Sequence, residues 1–384
     1  MAEKLLWQRT LSISNDRTVS LVLALKPYFV KLRITEPQLC NPTVQQYSRY
    51  LDISEGKHLF FWFFESRSSP SEDPLLLWLN GGPGCSFSTG LLFELGPCSV
   101  VDEGNNTTYN PHSWYQQANI IFLDQPIDVG FSYSTDGSQV TTSPEAAKDV
   151  YAFLELFVRR FPKYADAPFH LAAESYGGRF LPHIASEIHK KQGTQINLAS
   201  VMVGNGLVDP RTQMPSVVEY ACEGPYAIYD DPFGSECTRL RISAAVCERL
   251  IEGCYRFESR LTCIPASVYC WNSVFGPVFS HDQNMYDARK QCKLEENGSL
   301  CYKEMIWAEK WMNESAAKLA LGVNPSRFAK IRGKEKFVSN LDNIYRKEFL
   351  AVPSTLWSTS NGAIVGEVRS ADMVLKWVHD VPLA

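Results

Sequence analysis

The chain has 384 residues, 45% hydrophobic and 21% charged, with a formal net charge of −5. That length can bury a large core as one big domain or two, and the composition is that of a globular protein. The negative balance gives no basic footprint for nucleic acid, and no run approaches the roughly 18 apolar residues that a membrane helix needs.

Residues 1–40 form an N-terminal segment without a clear pattern. Its short apolar run VSLVLAL (residues 19–25) lies late, follows the polar SISNDRT and makes a poor signal peptide. From there to residue 210, apolar runs alternate with helical patterns. HLFFWFFES (58–66), LLLWLN (75–80), NIIFLD (119–124), FHLAAE (169–174) and SVMVGN (200–205) read as strands, with helices at about 144–161 and 179–191. Buried strands alternating with helices predict an α/β core over 41–210 with a mostly parallel sheet, whose chemistry sits beyond the strand carboxyl ends.

Two of those ends carry polar groups. WLNGGPGCS (78–86) runs from a strand into Gly81-Gly82-Pro83-Gly84, a tight loop whose backbone N–H groups suit an oxyanion hole. HLAAESYGGRF (170–180) reads as a strand, a sharp turn and a helix start, with Ser175 at the turn. A nucleophile elbow needs small residues around its serine, and here Ala173 stands where the pattern G-x-S-x-G has its first glycine. Taken singly, the first stretch reads as a glycine-rich turn and the second as an ordinary strand–helix connection. Within one sheet they point to acyl transfer.

Eight of the eleven cysteines fall between Cys222 and Cys301, without the paired C-x-x-C spacing of a zinc ribbon. Disulfides and an oxidising compartment are the better reading. The region 211–312 breaks the strand–helix alternation and reads as an inserted cap, followed by a C-terminal part over 313–384. Sequons at Asn105, Asn106, Asn297 and Asn313 are glycosylation candidates, or unmodified surface asparagines.

The motifs WLNGGPGCS, FLDQPIDVGFSYS (122–134), AAESYGG and VGNGLVDP (203–210), in this order and with this cysteine spacing, resemble the serine carboxypeptidases. The resemblance implies an α/β-hydrolase fold with a disulfide-rich cap, no cofactor and no metal. It also implies a vacuolar, lysosomal or secreted location, and peptide or protein C-termini as substrates. By resemblance Ser175 is the nucleophile, and Gly82 and Tyr176 supply the oxyanion hole. Asn80 and Glu174 bind the substrate's terminal carboxylate. The same resemblance pairs Cys222 with Cys237, Cys247 with Cys270, Cys254 with Cys263, and Cys292 with Cys301, leaving Cys40, Cys85 and Cys98. The family partner of Cys85 lies in a segment not found after Asn324, so Cys85 is expected to be unpaired, or mispaired with Cys40 or Cys98.

The rest of the triad is not identifiable. The family marks its Asp with a strand ending in Gly-Asp and its His with Gly-Gly-His-x-x-Pro, and neither pattern follows Asn324. The basic stretch NPSRFAKIRGKEKFVSN (324–340) replaces the first. EFLAVPSTLWSTSNGAIVGEVRS (348–370), a hairpin pattern turning at Asn361-Gly362, passes directly into ADMVLKWVHD where the second belongs. His183 and His189 follow the serine on a helix leading away, roughly 12 and 21 Å along its axis. His281 falls in the cap and His379 near the chain's end, while His58, His112 and His170 precede the serine with no role in the pattern. The C-terminal core is therefore expected to be incomplete. Two functions compete: a serine-type carboxypeptidase working through an acyl-enzyme, and an inactive relative or incomplete gene product keeping only a peptide-carboxylate pocket.

Overall fold

The computed structural model describes residues 34–327, apart from 280–282, 285 and 299–300. Up to residue 204 its strands are β1 (Gln46–Asp52), β2 (Lys57–Phe64), β3 (Leu75–Leu79), β4 (Cys98–Val101), β5 (Asn106–Tyr109), β6 (Asn119–Leu123), β7 (Tyr133–Ser134), β8 (Phe169–Glu174) and β9 (Leu198–Gly204). β4 and β5 form a separate hairpin. The others make one sheet in the order β1-β2-β6-β3-β8-β9, with β7 also on β2. The neighbours β6–β3, β3–β8 and β8–β9 are parallel, the arrangement that the apolar runs predict. β1–β2, β2–β6 and β2–β7 add an antiparallel flank that they do not predict. β1 escapes a hydrophobicity reading because its buried face carries Gln46 and Ser48. Gln46 Nε2 donates to the carbonyls of Leu39 and Asn41, its Oε1 accepts from Trp62 Nε1, and Ser48 Oγ donates to Leu321 O. Each buried polar group thus has a partner, which removes most of the cost of its burial.

Helices α1 (Ser143–Arg160) and α2 (Gly177–Lys190) cross over from β6 to β8 and from β8 to β9. α1 starts where Thr142 Oγ1 accepts from Glu145 N and donates to Glu145 Oε2, with Pro144 in the first turn. Its Val150, Phe153, Leu154 and Phe157 meet Phe61, Phe63, Leu77 and Ile121 on one face of the sheet, where Phe180, Leu181 and Ile184 of α2 join them. The other face, with Phe60, Trp62, Trp78 and Phe122, packs on Phe87, Leu91, Tyr115 and Phe131. This double cover explains why β3, and β2 from Leu59 onward, are apolar without alternation. The sheet, its crossovers and its two covered faces are an α/β-hydrolase core.

After β9 come three helices, α3 (Pro210–Cys222), α4 (Ser235–Phe257) and α5 (Arg260–Cys270), with a small core of their own around Met214, Leu240 and Ile251. Disulfides join Cys222 to Cys237, Cys247 to Cys270 and Cys254 to Cys263 across them, and Cys292 to Cys301 beyond them. A fifth bond, Cys40–Cys98, ties the segment before β1 to β4. Helices α6 (Lys303–Asn313) and α7 (Ser315–Ala320) return to the sheet, where Trp311 stacks on Trp62 at 6.3 Å between centroids. Of the sequons, Asn105 and Asn106 are exposed at the β4–β5 hairpin, while Asn297 and Asn313 are half-buried. The stretches 324–340 and 348–370 lie outside the described residues except for 324–327.

Candidate active site

β8 ends at Glu174, and Ser175 turns the chain with φ of 55° and its residue exposed. This left-handed backbone is strained for a serine and is held by three bonds. Ser175 N donates to Gly204 O at 3.0 Å, and Ser175 O accepts from Gly178 N at 3.1 Å and Leu207 N at 2.8 Å. The small residues around it have a steric reason: a Cβ on Gly177 would lie 2.3 Å from Ala173 Cβ. One of these two positions can carry a methyl group and the other cannot. Alanine in place of the first glycine is therefore compatible with the elbow.

The loop after β3 lies directly on this turn. A Cβ on Gly81 would come within 2.5 Å of Tyr176 N, 2.7 Å of Ser175 Cβ and 2.8 Å of Glu174 O. Gly82 follows with φ of 107°, and Cys85 N closes the turn on Gly81 O at 3.2 Å. Gly82 and Tyr176 thus belong to two backbone segments packed against each other beside Ser175. Cys85 lies outside the five disulfides and is half-buried.

Asn80 is buried with its amide orientation set by its neighbours. Its Oδ1 accepts from Trp78 Nε1 at 3.0 Å and Gly90 N at 3.2 Å, so its Nδ2 is the atom that donates to Glu174 Oε1, at 2.7 Å. Gly90 is required here, since a Cβ would fall 2.1 Å from Trp78 Nε1. Glu94, at the end of the π-helical turn Gly90–Glu94, completes the group by hydrogen bonding to Glu174. Burial, and then the neighbouring Glu174, push the Glu94 carboxyl well above the usual range. Burial also raises Glu174, opposed by its bonds from Asn80 and Glu94. The pair therefore favours sharing one proton, Glu94 being the more strongly raised of the two, because two carboxyls in contact do not both ionise readily.

The sequence reading missed Glu94. It lies eighty residues before Glu174, at the end of the apolar LLFELG run, and only the fold brings the two together. The signal available was a glutamate in that run shortly after WLNGGPGCS. Among the described residues no hydrogen bond joins a histidine to Glu94 or Glu174. His58 is bonded to Asp52 and Thr135 and His170 to Ser200, and His183 and His189 ride on α2 beyond the elbow. His281 and His379 lie outside the described residues.

A model of the serine carboxypeptidase family matches residues 37–377. Among curated relatives, carboxypeptidase Y homolog A of Uncinocarpus reesii is 48% identical over 78% of this chain and 54% of its own length. That of Coccidioides posadasii is 48% identical over 79% and 56%. The homolog of Arthroderma otae is 42% identical over 93% and 65%. The chain spans about half the length of the first two. The crystal structure of KEX1ΔP, a prohormone-processing carboxypeptidase from Saccharomyces cerevisiae, superposes with a TM-score of 0.68 at 23% identity, over 81% of this chain and 72% of that one. With the elbow, the glycine loop and the sheet in agreement with a family match over most of its length, the chain belongs to the serine carboxypeptidase family.

Proposed function

We propose that this chain binds peptide C-termini and releases the terminal residue as a serine-type carboxypeptidase. One observation carries the reading: buried Asn80 and half-buried Glu94 and Glu174 form an amide–carboxyl cluster directly before an exposed elbow serine. A substrate α-carboxylate entering this cluster meets an amide N–H and a carboxyl that still carries its proton. It can then be bound by donors instead of repelled by two charges. The last peptide carbonyl would sit at Ser175, with the N–H groups of Gly82 and Tyr176 stabilising the negative oxygen of the tetrahedral intermediate. The amine of the terminal residue leaves and Ser175 stays acylated until water releases the peptide. The five disulfides support passage through an oxidising compartment, vacuolar, lysosomal or secretory.

A second reading, an inactive relative that keeps only the pocket, is favoured by the sequence after Asn324, which contains neither Gly-Asp nor Gly-Gly-His-x-x-Pro. A serine without its base is a weak nucleophile. The deciding experiment compares an acyl-dipeptide with its C-terminal amide, for binding and for hydrolysis, in the chain and in Ser175→Ala. We expect the acid to bind at least about tenfold more tightly. Ser175-dependent release should be roughly a thousandfold slower than in a family member with a full triad. Acid-selective binding with no Ser175-dependent release establishes the second reading. Equal binding of acid and amide removes both.

A further inference from the structure

Asp124 stands at the carboxyl end of β6 with its side chain fully buried. Its Oδ1 accepts from Ser86 Oγ at 2.7 Å and Phe87 N at 3.2 Å, and its Oδ2 accepts from Phe131 N at 2.8 Å. The chain around it is shaped to the carboxyl: Gly130 has φ of 53°, and a Cβ there would lie 2.0 Å from Oδ2. Burial, opposed by these bonds, pushes the carboxyl up to about 7. A buried carboxyl is an expensive way to tie loops in a dry interior, and what it supplies is acceptor capacity on two oxygens for three donors, which a single amide oxygen lacks. Its partners explain the choice. Ser86 directly follows the Gly81–Cys85 turn that contains Gly82. Phe87 opens the segment in which Leu91 N bonds Phe87 O, Gly90 N bonds Asn80 Oδ1 and Glu94 reaches Glu174.

We propose that Asp124 is the positioning residue of this site: through Ser86 and Phe87 its side chain sets both the turn that presents the Gly82 N–H and the segment that presents Glu94. The proposal takes the roles of Gly82 and Glu94 from the carboxypeptidase reading. Asp124 touches no substrate. It acts by holding one end of the loop on β6 while the elbow holds the other, so that the oxyanion N–H and the carboxylate cluster keep a fixed separation.

Cys85 is a reporter placed in that loop, since a Cβ on Gly82 would lie 2.9 Å from its Sγ. Its alkylation rate under native conditions reads local opening of the turn, independently of any catalysis. The test uses the whole chain with Asp124→Asn, Ser86→Ala and, as control, Ser132→Ala, which removes the hydroxyl that Phe60 N and Asp124 O share. Asp124→Asn should raise the iodoacetamide rate at Cys85 about tenfold and shrink the acid-over-amide binding preference by a similar factor, because a neutral acceptor serves three donors poorly. Ser86→Ala should move both readouts the same way by about threefold. Ser132→Ala should lower the melting temperature and leave both unchanged. A cooperatively folded Asp124→Asn with unaltered Cys85 rate and binding preference overturns the proposal. If that variant does not fold, an unaltered Ser86→Ala does so. Should the unsubstituted chain show no acid preference, the carboxypeptidase reading fails, and the Cys85 rate alone still decides whether Asp124 holds the turn.

Discussion

The sheet differs between its middle and its β9 edge. β3, LLLWL, is buried at every residue, whereas β9, LASVMVG, is only half-buried along most of its length. Both strands are apolar and parallel to their neighbours. β3 lies between β6 and β8, while among the described residues β9 pairs with β8 alone. Burial in a parallel sheet thus comes from neighbours on both sides and cover on both faces, and apolar composition only permits it. The loops that carry the candidate site, after β3 and β8, belong to the enclosed strands and are tied together by the bond from Asn80 Nδ2 to Glu174 Oε1.

The largest expected effect tests that contrast directly. Leu77→Ala in β3 should cost about 3–5 kcal/mol and Val201→Ala in β9 about 1 kcal/mol, since the cost of truncation scales with the cavity left in closed packing. Urea midpoints at constant slope measure both. Equal costs would mean that β9 is as enclosed as β3.

A second test uses the close approach of the two loops. Gly81→Ala places a methyl group against the backbone of Glu174 and Tyr176, which cannot rotate away. We expect a loss of about 1–3 kcal/mol in stability, measured by the same titration, with weakened binding of the acid peptide.

The proton on Glu94 sets the pH behaviour. A carboxyl raised in the fold stabilises it fully below its unfolded value, near 4.5 for glutamate, and that contribution is lost as pH rises through the folded value. Acid-peptide affinity should therefore be about tenfold weaker at a pH where Glu94 has lost its proton than at one where it keeps it, while amide-peptide affinity stays level. Titration calorimetry at the two pH values checks this, and Glu94→Gln, which keeps a donor without a titrating proton, should flatten the dependence.

The smallest effect sharpens the contrast from the helical side. Gly253 within α4 has no left-handed φ, and nothing lies within 4 Å of the place that an added methyl group would take. Gly253→Ala should stabilise by roughly 0.5–1 kcal/mol through helix propensity, visible as a higher melting temperature. A loss there would show packing around α4 as tight as that at Gly81.

How much was legible follows from where the information sits. Strands β2, β3, β6, β8 and β9 announced themselves as apolar runs, and α1 and α2 as helical patterns, because burial on two faces demands such residues locally. Ser175 and the glycine loop were visible for a similar reason, since a strained turn and a close backbone approach restrict which residues can occupy them. β1 was hidden because its inward positions are Gln46 and Ser48, made compatible with burial by hydrogen bonds to other segments, among them Trp62 Nε1 and Leu321 O. Glu94 and Asp124 were hidden as sites because a carboxyl acquires its proton affinity from its surroundings. The sequence by itself determined the family, the α/β order and the strained turn at Ser175, all properties of short contiguous stretches. Only the tertiary structure decided that Glu94 meets Glu174, that Asn80 turns its N–H toward them, and that Asp124 anchors their loop, because those properties arise from desolvation and from contacts between segments far apart in the chain.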